Sequence, residues 1–247
     1  MKVKDTYINY VQYGKEKAQD LVLLHGWGQN IEMMDPIGQR LKNNFRITIL
    51  DWPGFGNSFE PSFSWTVLDY YEMLTEFLDK LNIKDPIIIG HSFGGRIAII
   101  YAAKKKVKKL VLFAAPFRRT NKKATVKIKV LKTLKKIPLL NKLENYVKSK
   151  IGSTDYKNAT PIMRRVLVNV INENLSFYLD KIKSPTLLIW GSNDSEVPLK
   201  EAKYIESIIK DCGLVVYEGC SHYAYLERIN QTISVLKEFF KNDQDVI

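Results

Sequence analysis

The sequence predicts an α/β fold: a mostly parallel sheet flanked by helices, with an all-helical cap inserted late in the chain. Three observations carry this. Short Val/Ile/Leu runs such as Leu21-Val22-Leu23-Leu24 and Ile87-Ile88-Ile89 alternate with longer stretches of helical periodicity, as buried parallel strands and their crossover helices do. The alternation breaks between Pro116 and about Ile182, where only helical patterns occur. A length of 247 residues, 45% of them hydrophobic, suits one large core and is short for two independent domains. The expected division is a core of residues 1–116 and 183–247 with a cap at 117–182.

In chain order, strands are expected from Thr6 to Tyr13, Asp20 to His25, Phe45 to Leu50, Pro86 to Gly90, Lys109 to Ala114, Pro185 to Trp190 and Leu214 to Tyr217. A helix is expected from Trp65 to Leu81, with Ser64 as its N-cap and Leu68, Met73, Leu74, Phe77, Leu78 and Leu81 along one side. Others are expected at Gly94 to Lys104, Leu199 to Lys210 and Asn230 to Phe240. Within the cap, a basic amphipathic helix near Lys122 to Lys136 stops at Ile137-Pro138, and a second runs from about Leu140 to Ile151. A third opens with Thr160 as N-cap and Pro161 at the first helical position.

The net charge of +12 is concentrated. From Arg118 to Lys150, twelve basic residues face Glu144 alone, so this segment carries nearly the whole excess. Clustered charge raises the local concentration of the opposite sign, so an acidic protein or an anionic membrane surface is a candidate partner; a solvated cap surface is the simpler reading. No recognised nucleic-acid motif accompanies the charge. No apolar run is long enough to span a bilayer, and the N-terminal residues alternate like a strand instead of forming a signal sequence, so a cytoplasmic location is expected. Cys212 and Cys220 lack CxxC spacing, and His25, His91 and His222 show no helical metal spacing, so neither a disulfide framework nor a metal site is expected. Gly54-Phe55-Gly56 lacks the third glycine of a dinucleotide loop.

The chemistry concentrates in three loops. Pro86 to Ala98 reads as a buried strand, then Gly90-His91-Ser92-Phe93-Gly94, then a helix, which is the context a nucleophile elbow requires. Gly90 and Gly94 let backbone and helix approach while Ser92 points its hydroxyl into a cleft. A serine hydroxyl needs a base. His91 would project away from it, and His25 belongs to a Gly-rich loop, so elimination leaves His222 in Glu218-Gly219-Cys220-Ser221-His222. The imidazole needs a carboxylate, and Asp194 leaves the C-terminal end of a strand in Gly191-Ser192-Asn193-Asp194; Glu196 competes. For an oxyanion hole, the amide of Phe93 and that of Trp27 in His25-Gly26-Trp27-Gly28 are the candidates.

These motifs together resemble the α/β-hydrolase fold superfamily over essentially the whole chain: His25-Gly26-Trp27-Gly28, Asp51-Trp52-Pro53-Gly54-Phe55-Gly56-Asn57-Ser58, the elbow, the Gly191-Ser192-Asn193-Asp194 loop and the late His222 come in the family's order. The resemblance implies an eight-stranded, mostly parallel sheet with the cap inserted after the sixth strand, and no metal or organic cofactor. It points to ester hydrolysis through an acyl-enzyme on Ser92. The His-Gly-Trp-Gly and Pro-Gly-Phe-Gly-x-Ser runs are similar to carboxylesterases acting on methyl esters of acyl chains held by an acidic acyl carrier protein. In the cap, Leu131, Leu134, Ile162, Met163, Val166 and Leu167 could line an acyl pocket or simply pack on the core. Other readings are a carbon–carbon bond hydrolase with Arg164 or Arg165 on a substrate carboxylate, a ligand receptor with little turnover, and a membrane-peripheral protein using Val126, Val130, Leu131 and Leu134.

Overall fold

The computed structural model describes residues 1–119 and 159–243. Its strands are β1 (Lys2–Val3), β2 (Thr6–Tyr7), β3 (Tyr10–Gly14), β4 (Asp20–Leu24), β5 (Arg46–Leu50), β6 (Ile87–His91), β7 (Lys109–Phe113), β8 (Thr186–Gly191) and β9 (Cys212–Tyr217). Between and after them lie α1 (Ile31–Leu41), α2 (Val67–Lys80), α3 (Phe93–Lys104), α4 (Pro161–Asn172), α5 (Ser176–Leu179), α6 (Leu199–Ile208), α7 (Ala224–Glu227) and α8 (Ile229–Phe239).

The main sheet has the order β3-β5-β4-β6-β7-β8-β9. Only β3 runs antiparallel, against β5; every other pair is parallel. Parallel strands with helices on both faces have no wet side, and β4, β6 and β8 are buried at every position. Two apolar clusters flank the sheet. One joins α2 and α3 through Leu74, Phe77, Ile97 and Ile100; the other packs α1 and α8 through Ile37, Leu41, Leu236 and Phe240.

Several expectations need correction. The main sheet has seven strands among the described residues, not eight. The run from Thr6 to Tyr13 divides because the Ile8 amide turns back to Met1 O at 2.8 Å, and the Asn9 amide bonds Ser58 Oγ at 2.8 Å. Thr6–Tyr7 then pairs with Lys2–Val3 in a separate hairpin. The described helices α4 and α5 lie between β7 and β8, the fifth and sixth strands of the main sheet in chain order, so the expected insertion point falls after the fifth strand, not the sixth. Thr66, not Ser64, caps α2: its hydroxyl accepts the Asp69 N–H at 3.3 Å while the Asp69 carboxylate accepts the Thr66 N–H at 2.8 Å. Trp65 packs edge-on against Tyr70 at 5.1 Å, the apolar pair that fixes how a chain enters a helix. Helix α1 is not among the expected elements, and it carries Pro36 internally. Asp51 supports its start by accepting the Ile31 N–H at 2.8 Å, beside the Asn30 cap.

Thr160 caps α4 as expected, with Pro161 in its first turn. The expected helices at Lys122 to Lys136 and Leu140 to Ile151, with Val126, Val130, Leu131 and Leu134, lie outside the described residues. One buried guanidinium ties α3 to the segments after β7 and after α4: Arg96 donates to Pro116 O at 2.9 Å and to Glu173 O at 2.7 Å. Beside β7, Arg118 packs against the stacked rings of Phe117 and Tyr204 and bonds the buried Glu201 carboxylate at 2.7 Å, so its charge is locally compensated. Among the described residues no helix is long and apolar enough to cross a membrane.

Candidate active site

The sheet order brings three loops to one edge. β6 lies near the centre and ends at His91, so Ser92 begins the turn into α3. Ser92 has φ +48° and ψ −110°, a conformation L-residues rarely adopt and one that marks the strained strand-to-helix turn of an elbow. The turn is held from both sides, since Ser92 N–H donates to Phe113 O at 2.9 Å and Gly94 N–H to His25 O at 3.1 Å. Gly94 is sterically required: a Cβ there would lie 2.4 Å from Leu24 O and 2.6 Å from His25 O, both backbone atoms. Gly94→Ala is therefore expected to destabilise the protein by about 1–3 kcal/mol, as overpacking does, and a thermal melt matching that of the wild type would contradict it.

Asp194 and His222 come from adjacent strands. β8 and β9 pair through Gly191↔Tyr217, which sets the loop after β8 beside the loop after β9. Gly191 allows the contact, because a Cβ would meet Cys220 O at 2.2 Å and Ser221 O at 2.3 Å. The sequence shows Gly191 as part of the Gly191-Ser192-Asn193-Asp194 run but not its neighbours Cys220 and Ser221, which are distant in the chain. Asp194 is buried and each oxygen is committed. Oδ1 accepts the Glu196 and Val197 amides at 2.9 and 2.8 Å, and Oδ2 lies 2.8 Å from His222 Nδ1. The rival acid, Glu196, has a side chain 63% exposed and stands 3.6 Å from the opposite ring nitrogen, Nε2. His222 is itself only 5% exposed. Among the described residues Ser92 Oγ forms no hydrogen bond.

The loop Gly26 to Gln29 faces the elbow. Its brace is His25, whose ring is wholly buried. Trp52 N–H donates to His25 Nε2 at 3.0 Å, so the ring proton sits on Nδ1, 2.7 Å from Gly26 O; Trp52 Nε1–H donates to His25 O at 3.0 Å. Neither the Trp27 nor the Phe93 amide is engaged by another acceptor among the described residues, and their rings meet edge-on at 5.4 Å. Trp27 also contacts Phe55 at 4.8 Å. Of the six residues expected to line an acyl pocket, Met163 and Val166 are buried in the cluster that contains Phe93, Leu167 is buried, and Ile162 is half-buried against that cluster. Leu131 and Leu134 lie outside the described residues.

Burial lowers His25 from its ordinary 6.5 to about 4, and burial together with the neighbouring His222 and His25 holds His91 well below its ordinary value. Both rings are therefore neutral in the native state near neutral pH. The unfolded chain binds these protons first as pH falls, so stability is unaffected above about 6.5 and declines between about 6.5 and 4. His25 alone is expected to cost about 3 kcal/mol across that window. Urea unfolding at pH 7.5 and 4.5 measures it, and equal stabilities at the two values would refute neutral burial.

The fold, the elbow and the loop order are those of the α/β-hydrolase fold. Residues 21–128 match the family model described as alpha/beta hydrolase fold. Monoacylglycerol lipase ABHD6 of Homo sapiens is 25% identical over 250 aligned positions, covering 89% of this chain and 74% of that protein. Pimeloyl-[acyl-carrier protein] methyl ester esterase of Aliivibrio salmonicida is 25% identical over 254 positions, covering 94% and 95%. A crystal structure of a membrane phospholipase A superposes with a TM-score of 0.79 at 24% identity, covering 100% of this chain and 86% of that one. The chain is a hydrolase, and its esterase and lipase relatives support ester hydrolysis in general.

Proposed function

We propose that the chain is a serine carboxylesterase in which Ser92, His222 and Asp194 form a catalytic triad, with the Trp27 and Phe93 amides as the oxyanion hole. The observation that carries this is the buried Asp194–His222 contact of 2.8 Å on loops beside the strained elbow. Ser92 Oγ attacks the ester carbonyl as its proton passes to His222 Nε2, and Asp194 holds the opposite N–H so that Nε2 is the free base. The carbonyl oxygen, now anionic, accepts from Trp27 and Phe93; each such donor is typically worth about 10²- to 10³-fold in rate. His222 returns the proton to the leaving alkoxide, and water repeats the sequence to release the acid. The serine–histidine hydrogen bond that this needs would form as substrate binds.

For the substrate we favour an ester with an apolar acyl group. Trp27 and Phe55 are half-buried and in contact at the oxyanion loop, and Met163 packs over Gly54, so an acyl chain would meet aromatic and aliphatic surface. Residues 117–182 would form the cap. An acidic acyl carrier protein is the partner that the basic 118–150 segment would suit, as the name of one relative suggests. The test is labelling with a fluorescent fluorophosphonate, then p-nitrophenyl esters of increasing chain length. Labelling on Ser92 with a rise in kcat/KM from acetate to longer chains is expected; a folded protein that resists labelling would remove the proposal.

A further inference from the structure

His91 lies in the elbow between Gly90 and Ser92, and the mechanism above does not use it. Its ring is wholly buried, packed against His222 at 4.9 Å, Tyr225 at 4.9 Å and Tyr223 at 5.4 Å. Nε2 lies 3.2 Å from the backbone oxygen of His222, and Nδ1 lies 3.2 Å from Gln29 Oε1. Gln29 extends the connection in two directions, since its Oε1 accepts the Gly26 N–H at 2.9 Å and its Nε2 donates to Tyr223 Oη at 3.3 Å. His91 thus meets the base loop from the elbow, and Gln29 joins the base loop, through Tyr223, to the oxyanion loop, segments up to 194 residues apart.

Hydrogen-bond counting identifies the stronger link. A neutral imidazole carries a single N–H, and both atoms facing this ring are acceptors. The His222 carbonyl has no other donor among the described residues, so a proton on Nε2 satisfies a buried backbone group that would otherwise be orphaned. Gln29 cannot reverse its amide to suit Nδ1, because its oxygen is held by Gly26 N–H. The Nε2–H bond therefore fixes the backbone of the very residue whose side chain would serve as base.

We propose that His91 and Gln29 are positioning residues: His91 anchors the His222 backbone to the elbow, and Gln29, through Tyr223 Oη, locks the base loop to the loop carrying the Trp27 amide. This rests on the triad reading above. A displacement of about 1 Å among reacting groups can cost on the order of 10²-fold in rate, so His91→Leu is expected to lower kcat by about that factor with KM changed less than about threefold. Its pH profile of kcat/KM should also shift, because the base has moved. A glutamine amide can reach the place of Nε2, so His91→Gln is expected to recover about tenfold of the loss, while Gln29→Leu should lower kcat by about tenfold.

The experiment measures p-nitrophenyl butyrate kinetics over pH and fluorophosphonate labelling rates for wild type and the three variants, with folding checked by circular dichroism. Wild type that never labels on Ser92 removes the triad reading and this inference with it. Labelled wild type beside a folded His91→Leu of equal rate and unchanged pH profile overturns the positioning roles alone, as does a loss that glutamine fails to rescue. Should His91→Leu not fold, Gln29→Leu decides: unchanged kcat and pH profile overturn the proposal.

Discussion

Ser92→Ala is expected to reduce turnover of a p-nitrophenyl ester by roughly 10⁵- to 10⁶-fold while leaving the fold intact. The size follows from losing the only group that the proposed mechanism makes nucleophilic, with oxyanion donors and binding surface retained. The fold should survive because alanine meets the same backbone demand that serine meets at φ +48°, and the turn is held by main-chain bonds from Ser92 N–H and Gly94 N–H. Fluorophosphonate labelling should vanish as well. A variant keeping a tenth of the activity would exclude Ser92 as nucleophile.

The second large effect separates the two acids near His222. Asp194→Asn is expected to lower kcat by about 10⁴-fold, the scale seen when a triad histidine is held in the wrong tautomer. The hydrogen bonds predict why. Oδ1 accepts two backbone N–H groups, from Glu196 and Val197, so an asparagine keeps its oxygen there and turns its NH₂ toward His222 Nδ1. Nδ1 must then accept, which leaves the ring proton on Nε2 and removes the base that Ser92 needs. Glu196→Gln should change kcat by less than about threefold, since its carboxylate is exposed and stands 3.6 Å from Nε2, not beside Nδ1. A reversed ranking of these two variants would reassign the acid.

The elbow could be read directly because all of its determinants are consecutive: an Ile-rich strand, a glycine, the strained serine and another glycine opening a helix. His222 was reached by elimination among three histidines, and Asp194 by its place after a strand. What separates Asp194 from Glu196 physically is which of them buries its carboxylate and collects backbone donors, and that depends on how the loop folds back on itself. The cap residues illustrate the opposite limit. Their helical spacing was visible, yet spacing alone does not say whether Met163 and Val166 face a cleft or the core, and they are buried in the cluster containing Phe93.

By itself, then, the sequence determined what short-range sterics and periodicity encode: the strand–helix alternation, the Thr160 cap of α4, the elbow glycines and the order of the motifs. The tertiary structure alone decided the contacts between distant residues. Asp51 supports a proline-containing α1 twenty residues upstream, Arg96 joins Pro116 to Glu173, and His91 meets the backbone of His222 across 131 residues. None of these pairs shares a local pattern. The order β5-β4-β6-β7-β8-β9 brings the loop ends together, with the tight passage at Gly191 on the His222 side, and a buried polar group then takes whichever partner the sheet has set within reach.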